Sequence, residues 1–208
     1  MLYDFLLEIY GENEPIFVSE IQYENMSINY IRQQIKRLVD IGRLKRYDTG
    51  IYYIPKKSAF KSGSVPEFSK VVEKKYLMEQ DVRCGYIGGV AFANQLMLTT
   101  QVSNVCEVIT NKASKDYRET TLGSERVIIR KPRAEITEEN YQILRFLDLI
   151  KDIDIVAEVS KKELSERVLL YMKKIAITFY DLQPYLDYYP DKIYKNMYEV
   201  GLLNGISA

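Results

Sequence analysis

The stretch SINYIRQQIKRLVDIGRLKRYDTGIYYI, residues 27–54, reads as a cationic helix followed by a basic, tyrosine-rich hairpin. Ser27 is placed to cap the helix, its hydroxyl accepting a backbone N–H that the first turn leaves unpaired. Ile28, Ile31, Ile35, Leu38 and Val39 recur at three- and four-residue spacing and make one apolar face. At about 100° per residue, Asn29, Tyr30, Gln33, Lys36 and Arg37 point away from that face. Gly42 is the expected stop, because glycine accepts the left-handed conformation that ends many helices. Residues 44–47 and 51–54 carry branched and aromatic side chains, and Asp48-Thr49-Gly50 joins them as the loop of a β-hairpin. A helix bearing Asn, Gln, Arg and Lys ahead of a cationic hairpin is the plan of a winged helix-turn-helix. Its helix offers base-reading side chains to a major groove, and its wing grips neighbouring phosphates.

Charge is sorted the same way. Residues 27–61 hold nine Lys or Arg against Asp40 and Asp48, a net +7, whereas residues 1–26 hold six acids and no Lys or Arg, a net −6. Inside one small domain this would put a positive face on one side. A solvated amphipathic helix with a surface hairpin accounts for the same residues without DNA. Ahead of the quoted stretch, apolar residues at 2, 5, 6 and 9 predict a first helix. Residues 15–18 read as a connector or short strand, and Ser19-Glu20-Ile21 opens a short second helix that ends before Ser27. Helix, short helix, basic helix and hairpin take up residues 1–56 as a winged helix-turn-helix DNA-binding domain. Residues 57–66, rich in Ser, Lys, Gly and Pro, read as a linker, or as a strap along DNA if the lysines meet phosphate.

Residues 67–208 predict a larger, mostly helical α+β domain with a small sheet. Residues 67–80 are helix-like. Gly85-Tyr86-Ile87-Gly88-Gly89 reads as a loop before a helix through Val90, Phe92, Ala93, Leu96 and Met97. Residues 105–110 and 126–130, rich in Val and Ile, are the best strands, with a long loop or hairpin excursion over 111–124. Thr137 caps a helix through Tyr141, Leu144, Leu147 and Ile150, with Glu138 and Glu139 in its first turn. Ser160 and Glu163 form a capping box, and Pro190 opens a last helix.

The net charge of the 208-residue chain is zero, so affinity for nucleic acid rests on local clustering. Cys84 and Cys106 read as free core thiols in a reducing cytoplasm. The stretch between them is uncharged and long enough for a bilayer. Asn94, Gln95, Thr99, Thr100, Gln101, Ser103 and Asn104 crowd its second half, so it predicts a buried core segment and no membrane partner. The N-terminus lacks the basic region of a signal peptide. With no histidine, Ser-His-Asp and Cys-His nucleophiles and histidine-ligated metals are excluded. Phosphate-cradling glycine loops are missing too. Gly88-Gly89 resembles the start of a nucleotidyltransferase site, but no acid stands between Asp81 and Glu107 to hold Mg²⁺, and packing glycines explain the pair better. A nuclease-type trio of Glu107, Asp116 and Glu125 is weaker still. The expectation is a protein that is no enzyme, with no catalytic residue, metal or cofactor.

Five runs then carry a resemblance: Ser27-Ile28-Asn29-Tyr30-Ile31-Arg32-Gln33-Gln34, Gly85-Tyr86-Ile87-Gly88-Gly89, Leu98-Thr99-Thr100-Gln101-Val102, Val108-Ile109-Thr110-Asn111-Lys112-Ala113 and Arg130-Lys131-Pro132-Arg133. With the hairpin over 44–54 they resemble the AbiEi-like antitoxins of bacterial abortive-infection (type IV) toxin–antitoxin systems, most of all the DUF6088-like branch. The likeness covers roughly residues 1–150. It implies a repressor and antitoxin that binds inverted repeats in its own promoter, with two copies able to pair on the DNA. The second domain would counteract a nucleotidyltransferase-like toxin, directly or indirectly.

In that frame Gln33 and Arg37 are expected to contact bases, with Asn29, Tyr30 and Lys36 beside them. Arg32, Arg43, Lys45 and Arg46 are expected on phosphate, and Tyr52 either touches phosphate or packs. Thr99, Thr100, Gln101, Asn111, Lys112, Arg130, Lys131 and Arg133 are candidates for the antitoxin surface, or else local caps and strand ends. Other readings are a winged-helix protein-interaction module and a stand-alone transcriptional regulator without antitoxin activity.

Overall fold

In the computed structural model, which describes residues 1–56 and 63–203, the chain divides after Lys75 into two units. The first holds α1 (Leu2–Tyr10), β1 (Ile16–Phe17), a 3-10 turn (Val18–Glu20), α2 (Ile28–Asp40), β2 (Lys45–Asp48), β3 (Ile51–Tyr53) and α3 (Phe68–Val72). Its three strands run antiparallel in the order β1-β3-β2. Ser27 caps α2, its Oγ accepting the Tyr30 N–H at 3.3 Å. Gly42 ends the helix at φ +73°, and Arg43 N–H closes the turn on the Leu38 carbonyl at 2.9 Å. Leu2 and Leu6 of α1, Ile31 and Ile35 of α2, and Ile16, Leu44 and Ile54 form the core of this unit.

The short second helix expected from residue 19 is absent; only the one 3-10 turn stands there. Glu24 and Asn25 follow at φ +45° and +54°, and two consecutive left-handed residues cannot continue a right-handed helix. The domain boundary also moves. The sequence pattern starts the second domain at residue 67, but residues up to Lys75 belong to the first unit. Lys70 pairs with Glu14, Lys74 with Glu20 at 2.9 Å and Lys75 with Asp48 at 3.2 Å. Glu14 and Glu20 of the acidic N-terminal stretch thus find cations beyond the predicted linker, whose residues 57–62 lie outside the described ones. The helix pattern over 67–80 does not persist either: α3 passes into a π-helical segment (Glu73–Leu77) and then a strand.

The second unit opens with β4 (Met78–Glu79) and β5 (Val82–Arg83), joined through the left-handed Gln80 and Asp81. It continues with β6 (Gly85–Ile87), α4 (Gly89–Gln95), β7 (Val105–Thr110), β8 (Tyr117–Leu122) and β9 (Glu125–Arg130). The helices are α5 (Tyr141–Lys151), α6 (Ile153–Val156), α7 (Lys161–Lys174), α8 (Phe179–Leu182) with a 3-10 extension (Gln183–Tyr188), and α9 (Lys192–Glu199). The sheet order is β6-β7-β9-β8, with β7 and β9 parallel and the other pairs antiparallel. The excursion over 111–124 is therefore a hairpin arm.

The predicted loop at Gly85 is strand β6, with Gly85 opposite Thr110. A Cβ there would lie 2.5 Å from the Tyr76 carbonyl oxygen and 2.9 Å from that of Ile109. The glycine serves close backbone approach, not flexibility. Phe92 of α4 joins Phe146, Leu147 and Ile150 of α5, Val168 of α7 and Ile193 and Met197 of α9 in one apolar core. Asn140, not Thr137, precedes α5, and Thr137 N–H donates to Asn140 Oδ1 at 2.8 Å. The Ser160–Glu163 capping box forms at the start of α7. Residues 84–106 are divided among strands, a helix and an irregular, mostly exposed stretch over 96–104 rather than forming one buried segment, and among the described residues no helix is long and apolar enough to cross a membrane. The whole is a mixed α+β architecture with small sheets.

Candidate nucleic-acid interface

Helix geometry places Asn29, Tyr30, Gln33, Lys36 and Arg37 of α2 within an arc of roughly 120°. All five are exposed, whereas Ile31 and Ile35 on the opposite side are 2% and 1% accessible. The apolar anchoring of one face fixes which side chains the other presents. Arg32 sits at the edge of the arc, exposed, with Nη1 donating to Asn29 Oδ1 at 3.4 Å. Asp40, the helix's one acid, shares the arc in the last turn.

The hairpin adds Arg43, Lys45 and Arg46, all exposed. The Arg43 guanidinium lies over the Tyr3 ring, 4.9 Å from its centroid. Arg46 folds back on the turn, donating to Thr49 Oγ1 at 2.9 Å and to the Asp48 carbonyl at 3.3 Å. Asp48 itself is engaged by Lys75. Among the described residues, none of Arg32, Lys36, Arg37, Arg43, Lys45 and Arg46 has a carboxylate within 4.0 Å. Tyr52 is half-buried against the core of this unit, a packing role.

The predicted antitoxin residues fall into three separate groups. Thr99 is buried and its hydroxyl donates to Glu158 at 2.6 Å. Thr100 N–H and Gln101 Nε2 donate to the same carboxylate at 2.9 and 2.8 Å. The run is thus a carboxylate-holding turn, with only Thr100 and Gln101 at the surface. Those donors, Thr99 first and then Gln101 and the Thr100 amide, hold the Glu158 carboxyl down at about 2 from the usual 4.5. A depressed carboxyl pKa stabilises the fold above the unfolded value and loses that effect as pH falls through the folded one. The stability gap between the wild type and Glu158→Gln is expected to be constant above pH 4.5 and to close as pH falls toward about 2. Chemical unfolding at a series of pH values checks this, and a gap that does not change between pH 5 and pH 2 contradicts it.

Asn111 bridges to residue 136 in both directions: its Nδ2 donates to the Ile136 carbonyl at 2.8 Å and its Oδ1 accepts the Ile136 N–H at 2.9 Å. Lys112 Nζ donates to the Met78 carbonyl at 2.6 Å. Both side chains therefore have local structural work. Arg130, Lys131 and Arg133, by contrast, come together along a cleft of about 610 Å³ between the sheet, α5 and α6.

Within that cleft Arg130 Nε pairs with Glu107 Oε1 at 2.6 Å, and Arg133 lies over the Tyr189 ring. Asp148, which no sequence motif marks, is half-buried in the lining beside them. Tyr86 O–H donates to it at 2.7 Å, with Lys151 and Arg133 at 3.8 and 4.0 Å. Burial pushes the Asp148 carboxyl up against the opposing pull of Lys151. Gly89, at φ +59°, has Glu107 Oε2 2.6 Å from where a Cβ would stand, so this glycine serves close approach to Glu107. Glu107 and Asp116 line the cleft, but Glu125 begins β9 at the other end from Arg130, roughly 16 Å away at strand rise. Among the described residues no group of three Cys, Asp or Glu is placed to hold a metal ion. The thiols of Cys84 and Cys106 are both raised by burial, Cys106 to about 11, which keeps them protonated and unreactive at neutral pH. No family model matches the chain, and no curated protein matches it either.

Proposed function

We propose that the chain is a transcriptional autorepressor whose first unit binds DNA as a winged helix-turn-helix, and an antitoxin whose second unit counteracts a nucleotidyltransferase-like toxin. The observation that supports DNA binding is the exposed arc of Asn29, Gln33, Lys36 and Arg37, backed by buried isoleucines and flanked by cations that have no carboxylate partner among the described residues. Gln33 and Arg37 read base edges, with Asn29, Tyr30 and Lys36 adjoining. Arg32, Arg43 and Lys45 neutralise phosphate, and Arg46 joins them on leaving Thr49. Two copies on inverted repeats would give the pairing that such sites require. The toxin-directed role rests on the resemblance to AbiEi-like antitoxins, with Thr100, Gln101, Asn111, Lys112, Lys131 and Arg133 the exposed members of its candidate surface. A gel shift with the operon's own promoter against a scrambled duplex tests the reading. Retention of the promoter alone supports it, and equal or absent retention of both contradicts it.

Two observations favour a protein-interaction module instead. Ile41 is 66% exposed at the end of α2, and a single 3-10 turn stands where a helix-turn-helix has its backbone-crossing helix. Ionic strength separates the two, because an apolar protein interface barely responds to salt.

A further inference from the structure

We infer that the cleft of the second unit is a binding site for a nucleoside monophosphate, a ligand that the DNA-binding reading does not require. The cleft's volume, about 610 Å³, lies in the range of small-molecule sites, and its lining sets four cations and four carboxylates beside a short apolar wall. Leu149, Ile155 and Val156 supply the wall. Ile155 is 70% exposed, an aliphatic side chain left open to water at the mouth where a flat base can cover it.

The cations there are held in place from behind. Arg130-Lys131-Pro132-Arg133 carries three of them off the end of β9, with Pro132 fixing the backbone between the second and third. Arg133 is oriented by the Tyr188 carbonyl, which accepts from Nη1 at 2.9 Å, and by the Tyr189 ring beneath it. Half-buried Asp148, itself fixed by the Tyr86 hydroxyl, stands near both Arg133 and Lys151. Lys131 is exposed at the rim and, among the described residues, has no carboxylate partner. Lys131 and the outer edge of Arg133 are the positions for a phosphate.

The other polar groups decide between phosphate alone and a larger ligand. Glu107 is neutralised by Arg130 and Asp152 by Lys151, but Asp116 opens on the same space without a cation partner among the described residues. A bare anion would meet an opposing carboxylate. A nucleoside phosphate sets its charge on Lys131 and Arg133 and donates its ribose hydroxyl or base amino protons to Asp116, so both signs of charge in the cleft are used.

The test is calorimetric titration of the full chain with AMP, with adenosine and inorganic phosphate as separate arms. AMP is expected to bind at least about tenfold more tightly than either, a difference of about 1.4 kcal/mol. Lys131→Glu, at an exposed position, is expected to abolish AMP binding with unchanged far-UV circular dichroism. Asp116→Ala is expected to weaken AMP and to strengthen phosphate, which no longer meets the opposing carboxylate. Arg37→Ala, in the first unit, is expected to bind AMP as the wild type does, so failure of the DNA reading and failure of this one are separable. No heat with AMP at about 1 mM, the weak end of specific binding, overturns the assignment. So does phosphate binding as tightly as AMP, or Lys131→Glu binding unchanged.

Discussion

Replacing Arg37 by alanine is expected to weaken promoter binding by about 1–3 kcal/mol and to relax sequence choice at the base it reads. The side chain stands on the exposed arc of α2 without a carboxylate partner among the described residues, so nothing in the fold depends on its charge. Its removal is therefore expected to shift stability by less than about 0.5 kcal/mol, the usual scale for such surface positions. The effect should appear in affinity alone. Lys45→Ala, on the hairpin, is expected to weaken promoter and scrambled DNA alike, because a phosphate contact carries no sequence information. A gel shift at fixed salt checks both. If the Arg37→Ala, Lys45→Ala double variant binds as the wild type does, the DNA surface has been assigned to the wrong face.

The buried side of the same helix gives the second large effect. Ile35 is 1% accessible and packs in the core shared by α1, α2 and the strands. Ile35→Ala is expected to destabilise the first unit by about 2–5 kcal/mol, the sum of lost burial and the cavity left behind. Against a total stability of about 5–15 kcal/mol for an ordinary domain, that is a large fraction. Urea unfolding followed by tyrosine fluorescence reads it as an earlier transition. A loss under about 1 kcal/mol would mean that α2 is not anchored through this face, and the outward arc would lose its basis. The contrast with Arg37→Ala is informative: one variant loses DNA through the fold, the other through the contact.

The elements legible in the sequence were those whose signal is local and periodic. Ser27, the isoleucine spacing and Gly42 mark α2 to within a residue, and Asp48-Thr49-Gly50 marks the hairpin. The Val- and Ile-rich runs give β7 and β9, and Ser160 with Glu163 gives the start of α7. What escaped was set by distant partners or by backbone strain. Gly85 looks like a loop residue until the Tyr76 and Ile109 carbonyls are seen against it. The left-handed Glu24 and Asn25 belong to residue types that helices tolerate, so nothing in composition forbids the helix they interrupt. Lys70, Lys74 and Lys75 join the first unit through acids more than twenty-five positions away, beyond reach of any window along the chain.

The candidate site divides the same way. The α2 arc follows from periodicity. The Thr-Thr-Gln run does not disclose that Glu158 is its partner, 57 to 59 positions on. Nor does Tyr86 disclose Asp148 at a separation of 62. The sequence could name Arg130, Lys131 and Arg133 as notable, but only the fold groups them with Lys151 and separates them from Asn111 and Lys112.

The claim on which the account turns is that the cations of α2 and the hairpin meet phosphate. Affinity for the promoter duplex measured across a series of salt concentrations tests it most directly, since each neutralised phosphate releases counterions. If the four cations assigned to phosphate, Arg32, Arg43, Lys45 and Arg46, engage the backbone, log K is expected to fall against log salt with a slope of roughly −3.6. The slope should be shallower by about one in Lys45→Ala. A slope near zero, with binding that survives high salt, would contradict the account and point to a protein partner for this face.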